Sequence, residues 1–189
     1  MTKQELRKIY LEKRLSISSK EKLKLDDLLL IQFQRLSFDD VRILMNYFPL
    51  ENKNEPNTLL FSNYIRHAIP DIQFAFPKSD FTTHEMQAVL INEETVYQEN
   101  NYQIVEPSDG ETIDEQSIDL IFVPLVIYDS KGFRVGYGKG FYDKFLSKCR
   151  EDILKIGFSY FDPVDKIDDV QQFDISLDYC ITPDSIYEF

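Results

Sequence analysis

The sequence predicts an α/β fold, a three-layer sandwich in which a largely parallel central sheet carries helices on both faces. Residues 118–127 form a nearly continuous apolar run, which is typical of a strand covered on both sides. Residues 41–48, a helical pattern after Asn57, and residues 72–76 follow one another as strand, helix and strand, the order of a parallel crossover unit. The 189-residue chain is 43% hydrophobic and has no linker or repeat, so we expect one domain over residues 1–189.

The first two helices are predicted from capping boxes, in which a Ser or Thr and a Glu three residues later exchange side-chain-to-backbone hydrogen bonds. Thr2 and Glu5 begin the first helix, and Ser18 and Glu21 begin the second. The side chains expected on the two apolar faces are Leu6, Ile9 and Tyr10, and then Leu25, Leu28, Leu29, Phe33 and Leu36.

The first crossover unit follows these helices. Residues 41–48 are its first strand, and residues 49–56 form a polar loop. Asn57 is the expected N-cap of the third helix. The segment Phe76-Pro-Lys78 is expected to end the second strand, because proline interrupts a ladder of hydrogen bonds. The inward-facing side chains of the third helix are expected to be Leu60, Phe61, Tyr64, Ile65 and Ala68.

Three more strands are predicted at residues 86–91, 153–158 and 179–182. A last helix is predicted after the glycines near residue 140. Its inward face would carry Tyr142, Phe145, Leu146 and Cys149.

The composition limits the possible partners and the compartment. A net charge of −12 disfavours nonspecific binding to nucleic acid or to an anionic membrane. No apolar stretch reaches the ~18 residues of a membrane span, and the N-terminus lacks a signal-peptide core. Cys149 and Cys180 have no metal or redox spacing and are expected to be buried thiols of a reducing compartment. We therefore expect a cytoplasmic protein, a monomer or a weak homodimer, without nucleic-acid or membrane partners.

A glycine loop (residues 134–140) follows the long apolar run and a turn at residues 129–132. Its sequence, Arg-Val-Gly-Tyr-Gly-Lys-Gly, uses three of the six glycines at alternate positions. Glycines permit positive φ and close approach of a ligand, and the NH groups of a helix start attract anions. The loop lacks the Walker A and dinucleotide-binding spacings. A turn that serves only the geometry of the chain is the alternative, but Arg134 and Lys139 favour a phosphate site.

The run from Val123 to Leu146 resembles the signature of the 5-formyltetrahydrofolate cyclo-ligase (5,10-methenyltetrahydrofolate synthetase) family. The matching parts are Val123-Pro124, Tyr128-Asp129, and the glycine-rich segment from Gly132 to Asp143. Leu125 stands where many members have glycine. The resemblance implies an ATP- and Mg²⁺-dependent ligase that cyclises 5-formyltetrahydrofolate to 5,10-methenyltetrahydrofolate, with release of ADP and phosphate.

The resemblance also implies where ATP binds. Lys3, Leu6 and Arg7 match the Lys-x-x-Leu-Arg pattern of the family near the N-terminus. A solvated basic face, formed by Lys3, Arg7 and Arg14, is the alternative. The implied ATP-binding residues are Lys3, Gln4, Glu5, Leu6, Arg7, Arg134, Val135, Gly136, Tyr137, Gly138, Lys139, Gly140, Phe141 and Tyr142.

The folate and metal residues are implied in the same way. Residues 47–50 and 55–58 resemble the Tyr-x-Pro and Glu-x-Asp-Thr segments of the family, with a loop about two residues longer and Asn57 in place of Asp. Without the family, Glu55 would be a solvated loop carboxylate. The implied substrate-binding residues are Phe48, Glu55, Tyr137, Gly138, Lys139, Gly140 and Phe141.

Asp174 and Asp178 match an Asp-x-x-x-Asp pattern before the last strand, and the resemblance implies that Asp174 holds Mg²⁺ together with Asp143. Two carboxylates suffice for Mg²⁺ when water and phosphates complete its coordination. The other aspartates between residues 162 and 178 are expected to serve solubility and turns. His67 and His84 lie outside every motif and are expected to be structural or surface residues.

The implied reaction needs positioning and charge neutralisation, and it needs no protein nucleophile. The implied catalytic residues are Lys139 and Arg134, with Tyr142 either orienting the substrate by its hydroxyl or packing. Two other classes fit the residues. A phosphosugar isomerase or acyl-transfer enzyme would bind phosphate without hydrolysing ATP. A nucleotide-binding regulatory module would bind ATP regardless of folate.

Overall fold

A computed structural model describes all 189 residues. The α-helices are α1 (Lys3–Leu15), α2 (Ser19–Phe33), α3 (Thr58–Ala68) and α4 (Phe141–Leu146). The strands are β1 (Ile43–Met45), β2 (Gln73–Asp80), β3 (Glu85–Leu90), β4 (Tyr97–Glu99), β5 (Val105–Pro107), β6 (Thr112–Ile113), β7 (Leu120–Phe122), β8 (Ile127–Tyr128), β9 (Arg134–Val135), β10 (Leu154–Phe158), β11 (Tyr179–Ile181) and β12 (Ile186–Glu188). Short 3-10 turns lie at Glu51–Lys53 and Glu115–Ser117.

The central sheet has eight strands in the order β12-β11-β10-β7-β1-β2-β3-β6. Its five inner strands from β11 to β2 are parallel, and the pairs at the two edges are antiparallel. The predicted crossover unit is confirmed, since β1 and β2 pair in parallel and α3 connects them.

Alternate side chains of the inner strands enter two separate cores. In β1, Leu44 packs in one core with Phe33 of α2 and Phe61 of α3. The next residue, Met45, packs in the other core with Leu6 of α1 and side chains of α4. Helices therefore cover both faces of the sheet, and the predicted three-layer α/β sandwich is confirmed.

The long apolar run is not one strand, as predicted, but two. β7 ends at Phe122, and β8 pairs with β9 in a separate hairpin. Pro124 between them has no NH to continue the ladder. All of this segment except Asp119 and Pro124 is nevertheless buried between helices and sheet, which explains why its composition resembles one long strand.

The predicted end of β2 at Phe76-Pro-Lys78 is also wrong. β2 continues to Asp80 and forms a long antiparallel pair with β3. The pairing of β1 with β2 ends at Met45 and Ala75, so Pro77 lies where β2 has only one neighbouring strand. Proline is tolerated at such an edge because its missing NH interrupts no ladder on the open side.

Some predicted details of the helices need correction. The capping box of α1 is present, but at α2 the Ser18 side chain accepts from the Glu21 NH without a return bond. Asn57 makes no side-chain cap of α3. Leu28 is 40% exposed and Ala68 is exposed, because each lies beyond the edge of the stripe that faces the core.

The acidic segment before β11 does more than the predicted solubility and turns. Asp168 accepts a hydrogen bond from the N-terminal amine, and Asp169 accepts one from the Lys3 NH at 2.6 Å, so both fix the start of α1. Asp178 pairs with the mostly buried Lys155 at 2.8 Å. The two cysteines are buried free thiols, as predicted, and both histidines are exposed. None of the four helices has the length and apolar character needed to cross a bilayer.

Candidate active site

A cavity of about 820 Å³ opens where β1, β2 and β7 end. Its walls come from α1, the loop after β1, the β2–β3 hairpin, the glycine loop, and a segment of residues 171–175. The carboxyl ends of parallel strands are the usual position of ligand sites in α/β sheets. The cavity is large enough for a drug-sized ligand or a larger one.

The glycine loop passes across the mouth of this cavity. Gly138 and Gly140 have φ of +88° and +73°, conformations that a side chain would strain, whereas Gly136 does not have the positive φ predicted for it. Arg7 of α1 lies against the loop. Its Nε donates to the Gly136 carbonyl at 2.7 Å, and a Cβ on Gly138 would lie 3.5 Å from its guanidinium carbon.

Cations and carboxylates are paired beside the loop. Arg134 is only 8% exposed and donates to the Ile175 carbonyl at 2.5 Å and to Asp143 Oδ1 at 3.0 Å. Burial lowers the pKa of the Arg134 guanidinium, and the Asp143 carboxylate opposes this shift. Lys3 pairs in the same way with Asp174.

The structure brings together the two aspartates that the resemblance implies for Mg²⁺. The NH of Ile175, next to Asp174, donates to Asp143 Oδ1 at 3.1 Å. The protein has no group of three or more His, Cys, Asp or Glu side chains that could hold a metal alone. This pair therefore fits Mg²⁺ only when phosphate and water supply the other ligands, a mode that Mg²⁺ commonly adopts.

Lys139 of the glycine loop is exposed, unlike Arg134. Its Nζ is 5.4 Å from the ring centroid of Tyr102, a cation–π distance. Tyr102 stacks on Phe81 with centroids 4.0 Å apart, and Phe81 meets the ring of Phe141 at 5.1 Å. These rings form an aromatic rim beside the long side chain of Lys139, which has no salt-bridge partner.

A second wall of the cavity combines aromatic rings with a buried carboxylate. Phe48 lies 4.6 Å from Phe76 and 5.1 Å from Tyr97, measured between ring centroids. Glu55 is 2% exposed, which excludes a solvated loop carboxylate. Its Oε2 accepts from the Leu50 NH at 2.7 Å, and its Oε1 accepts from the Tyr137 hydroxyl.

Tyr142 faces the cavity between these two walls. Its hydroxyl has no hydrogen-bond partner in the protein, although Glu55 and Glu106 lie near enough to raise its pKa. Burial is the main cause of that raised pKa. The hydroxyl therefore stays protonated at neutral pH and is free to donate a hydrogen bond to a ligand.

Four residues with an implied ATP role do not line the cavity. Gln4 and Glu5 are exposed on α1, and Glu5 is used in the capping box, while Leu6 and Val135 are buried in the core. The structure instead brings to the site several residues to which the sequence assigned no role. These are Tyr47, Phe81, Tyr102, Glu106 and, behind the wall, Arg14. Arg14 and Tyr47 had a signal in the sequence, Arg14 in the basic stripe of α1 and Tyr47 in the Tyr-x-Pro segment.

A model of the 5-formyltetrahydrofolate cyclo-ligase family matches residues 1–182 of the chain. The chain belongs to this family. It is therefore a ligase, with a role in folate chemistry. The 5-formyltetrahydrofolate cyclo-ligase of Mycoplasma pneumoniae is 28% identical over 186 residues, which are 96% of this chain and 98% of that protein.

Solved structures of family members have the same fold. The 5,10-methenyltetrahydrofolate synthetase of Aquifex aeolicus superposes with a TM-score of 0.82 at 27% identity, over 100% of this chain and 93% of that one. The synthetase of Mycoplasma pneumoniae gives a TM-score of 0.76 at 28% identity, over 97% and 99% of the two chains. Membership in an enzyme family decides against the nucleotide-binding regulatory module.

Proposed function

We propose that this cavity converts 5-formyltetrahydrofolate to 5,10-methenyltetrahydrofolate with hydrolysis of one ATP to ADP and phosphate. One observation carries the proposal. A cationic glycine loop and an aromatic wall with a buried carboxylate share a single cavity in a chain of the cyclo-ligase family. Such a cavity can hold a polyphosphate and a flat heterocycle side by side.

In this proposal the phosphates of ATP bind to the glycine loop. Lys3, Arg7, Arg134 and Lys139 all line the cavity around the loop and supply positive charge within an acidic protein. Local cations are needed because the net charge of −12 repels a free nucleotide. The Tyr137 NH and the other NH groups of the loop would complete the phosphate site, and the Tyr137 hydroxyl takes no part in it.

The folate binds to the other wall. Phe48 offers a ring for stacking against the heterocycle. The Glu55 carboxylate only accepts hydrogen bonds, so it is complementary to NH groups of the folate. Its desolvated position makes that contact selective, since an analogue without the NH would leave a buried carboxylate with one partner fewer.

The chemistry explains these residue types. The formyl amide is a poor electrophile because its nitrogen donates electrons into the carbonyl. Attack of the formyl oxygen on the γ-phosphorus, with ADP as the leaving group, turns that oxygen into part of a phosphate ester. N10 then attacks the formyl carbon and loses its proton, and the carbon–oxygen bond breaks to release inorganic phosphate. Lys139 and Arg134 neutralise the transferring group, and Tyr142 orients the substrate.

Asp143 and Asp174 would hold Mg²⁺ beside the ATP phosphates. When bound, the ion supplies neutralisation of charge on the phosphate oxygens. In the structure the same carboxylates pair with Arg134 and Lys3. When ATP and Mg²⁺ bind, the two aspartates would turn from these cations to the metal, and Arg134 and Lys3 would turn to the phosphates.

The test is the coupling of two products. Purified protein with ATP, Mg²⁺ and 5-formyltetrahydrofolate should form ADP and methenyltetrahydrofolate, measured by its absorbance, in equal amounts. Without the folate, ADP formation should fall to background. ATP hydrolysis that does not depend on the folate, or a folate product formed without ADP, would contradict the proposal.

A further inference from the structure

Arg14 is a buried cation at the end of α1 that does not line the cavity. It is 2% exposed and each of its nitrogens serves a different segment. Nε donates to the Lys53 carbonyl at 2.8 Å, Nη1 to the Leu125 carbonyl at 2.9 Å, and Nη2 to the Tyr137 hydroxyl at 2.5 Å. One guanidinium thus joins α1 to the loop after β1, to the end of β7 and to the glycine loop.

The contact with Tyr137 reaches the folate wall. The Tyr137 hydroxyl accepts from Arg14 and donates its own proton to Glu55 Oε1. Burial raises the pKa of Tyr137, so the hydroxyl keeps the proton that it donates. With the Leu50 NH on Oε2, both oxygens of Glu55 are fixed, although Arg14 never touches this carboxylate.

We propose that Arg14 is a positioning residue that orients the Glu55 carboxylate for folate binding through the hydroxyl of Tyr137. The inference rests on the proposed function, because it requires Glu55 to contact the folate. The three donors of Arg14 point in fixed directions of one plane, which a lysine ammonium cannot reproduce.

A purely structural role does not explain this arrangement. Burying a charge costs solvation energy, and apolar replacements of buried ion pairs are often as stable or more stable. Arg14 moreover has no salt bridge of its own, and its charge is balanced across Tyr137 by Glu55. Lys22 of α2 also acts on Glu55, but less than Arg14 does, and it pairs directly with Asp26 at 2.6 Å.

The first experiment compares Arg14→Lys and Tyr137→Phe with the wild type. We expect either change to raise the KM for 5-formyltetrahydrofolate about 10-fold, the scale of one charge-assisted hydrogen bond, while the KM for ATP stays within about twofold. Tyr137→Phe removes a single oxygen, so it keeps the test available if Arg14→Lys fails to fold. Lys155→Met is the matched control, since it removes a buried lysine and its ion pair with Asp178 outside the cavity and should lower Tm without changing either KM.

The second experiment combines Arg14→Lys with Glu55→Gln. If Arg14 acts through Glu55, the double variant should have the folate KM of Glu55→Gln alone. Independent effects that multiply, or equal rises in both KM values for Arg14→Lys, would overturn the role of Arg14. A wild type that forms no methenyltetrahydrofolate would overturn the proposed function instead. An active wild type whose folate KM is unaffected by Glu55→Gln would overturn only the roles of Glu55 and Arg14.

Discussion

Lys139 and Glu55 are the two ionisable side chains of the cavity whose surroundings differ most. Lys139 is exposed and contacts only an aromatic ring, so it can move toward a ligand. Glu55 is buried and fixed at both oxygens, so a ligand must come to it. The first is suited to neutralising charge on a moving group, and the second is suited to selecting one heterocycle.

Lys139→Met should lower kcat by ~10²-fold or more, the usual effect of losing one preorganised charge contact to a transition state. Because the side chain is exposed and has no salt bridge, Tm should stay unchanged. Lys148→Met, an exposed lysine of the same stretch outside the cavity, is the control and should keep the wild-type kcat. A Lys139 variant with normal kcat and Tm would remove this residue from the mechanism.

Glu55 affects stability as well as binding. Burial raises its pKa, and the Arg14 charge opposes that shift. The folded protein therefore holds this proton more tightly than the unfolded chain does. The free energy of unfolding then falls as the pH rises from about 4.3, the unfolded value, through the folded pKa.

Glu55→Gln should consequently lose less free energy of unfolding than the wild type does between acid and neutral pH. Its KM for 5-formyltetrahydrofolate should rise about 10-fold. Urea unfolding at several pH values measures the first effect, with the exposed Glu111→Gln as the control. A strong loss of stability together with a normal folate KM would show that Glu55 is structural.

At the scale of elements, α1 is the least expected part of the site. Its start could be predicted from the capping box, because that signal lies within four residues. The sequence could not predict whether its basic stripe faces solvent or the cavity, because the spacing is the same in both cases. In the structure the stripe faces inward, and its partners lie more than 100 residues away in Gly136, Tyr137 and Asp174.

The two cations of α1 next to the loop should respond differently to a swap. Arg7→Lys loses the Nε bond to Gly136 and the flat contact with Gly138, so the KM for ATP should rise fivefold or more. Lys3→Arg keeps the charge that faces Asp174 and should change this KM by less than twofold. Both are measured at fixed Mg²⁺. Wild-type values for both variants would return α1 to a structural role.

A second element of the site is the segment of residues 171–175, which carries Asp174 to the glycine loop. Asp143→Asn and Asp174→Asn should each raise the Mg²⁺ concentration for half-maximal rate about 10-fold or more. Asp143→Asn should also lower Tm, because it leaves the buried Arg134 without its counter-charge. The exposed Asp184→Asn serves as control. A normal Mg²⁺ requirement in both variants would exclude these aspartates as metal ligands.

For the whole molecule, the layers of helices and sheet could be predicted from the sequence better than the ends of the individual strands. Periodicity reports burial, so the inner strands and the two helical layers could be predicted from it. It does not report partners. The break at Pro124 and the extension of β2 past Pro77 depend on which neighbours surround each proline, and the pattern of the sequence does not contain that information.

The same limit applies to the site. The glycine loop could be predicted as part of a ligand site from its spacing and charge, and all its residues except Val135 line the cavity. Phe81 and Tyr102 could not, because they come from the β2–β3 turn and from a polar loop, and meet only after both have folded over the cavity. Arg14 could be predicted in part, because its place in the basic stripe is visible in the sequence and its contacts are not.

The central claim is that the formyl oxygen leaves as part of the inorganic phosphate. It is tested by following ¹⁸O from 5-formyltetrahydrofolate labelled in the formyl group, with unlabelled ATP and water. We expect one ¹⁸O atom in the phosphate for each methenyltetrahydrofolate formed. Unlabelled phosphate, with the ¹⁸O recovered in water, would contradict it.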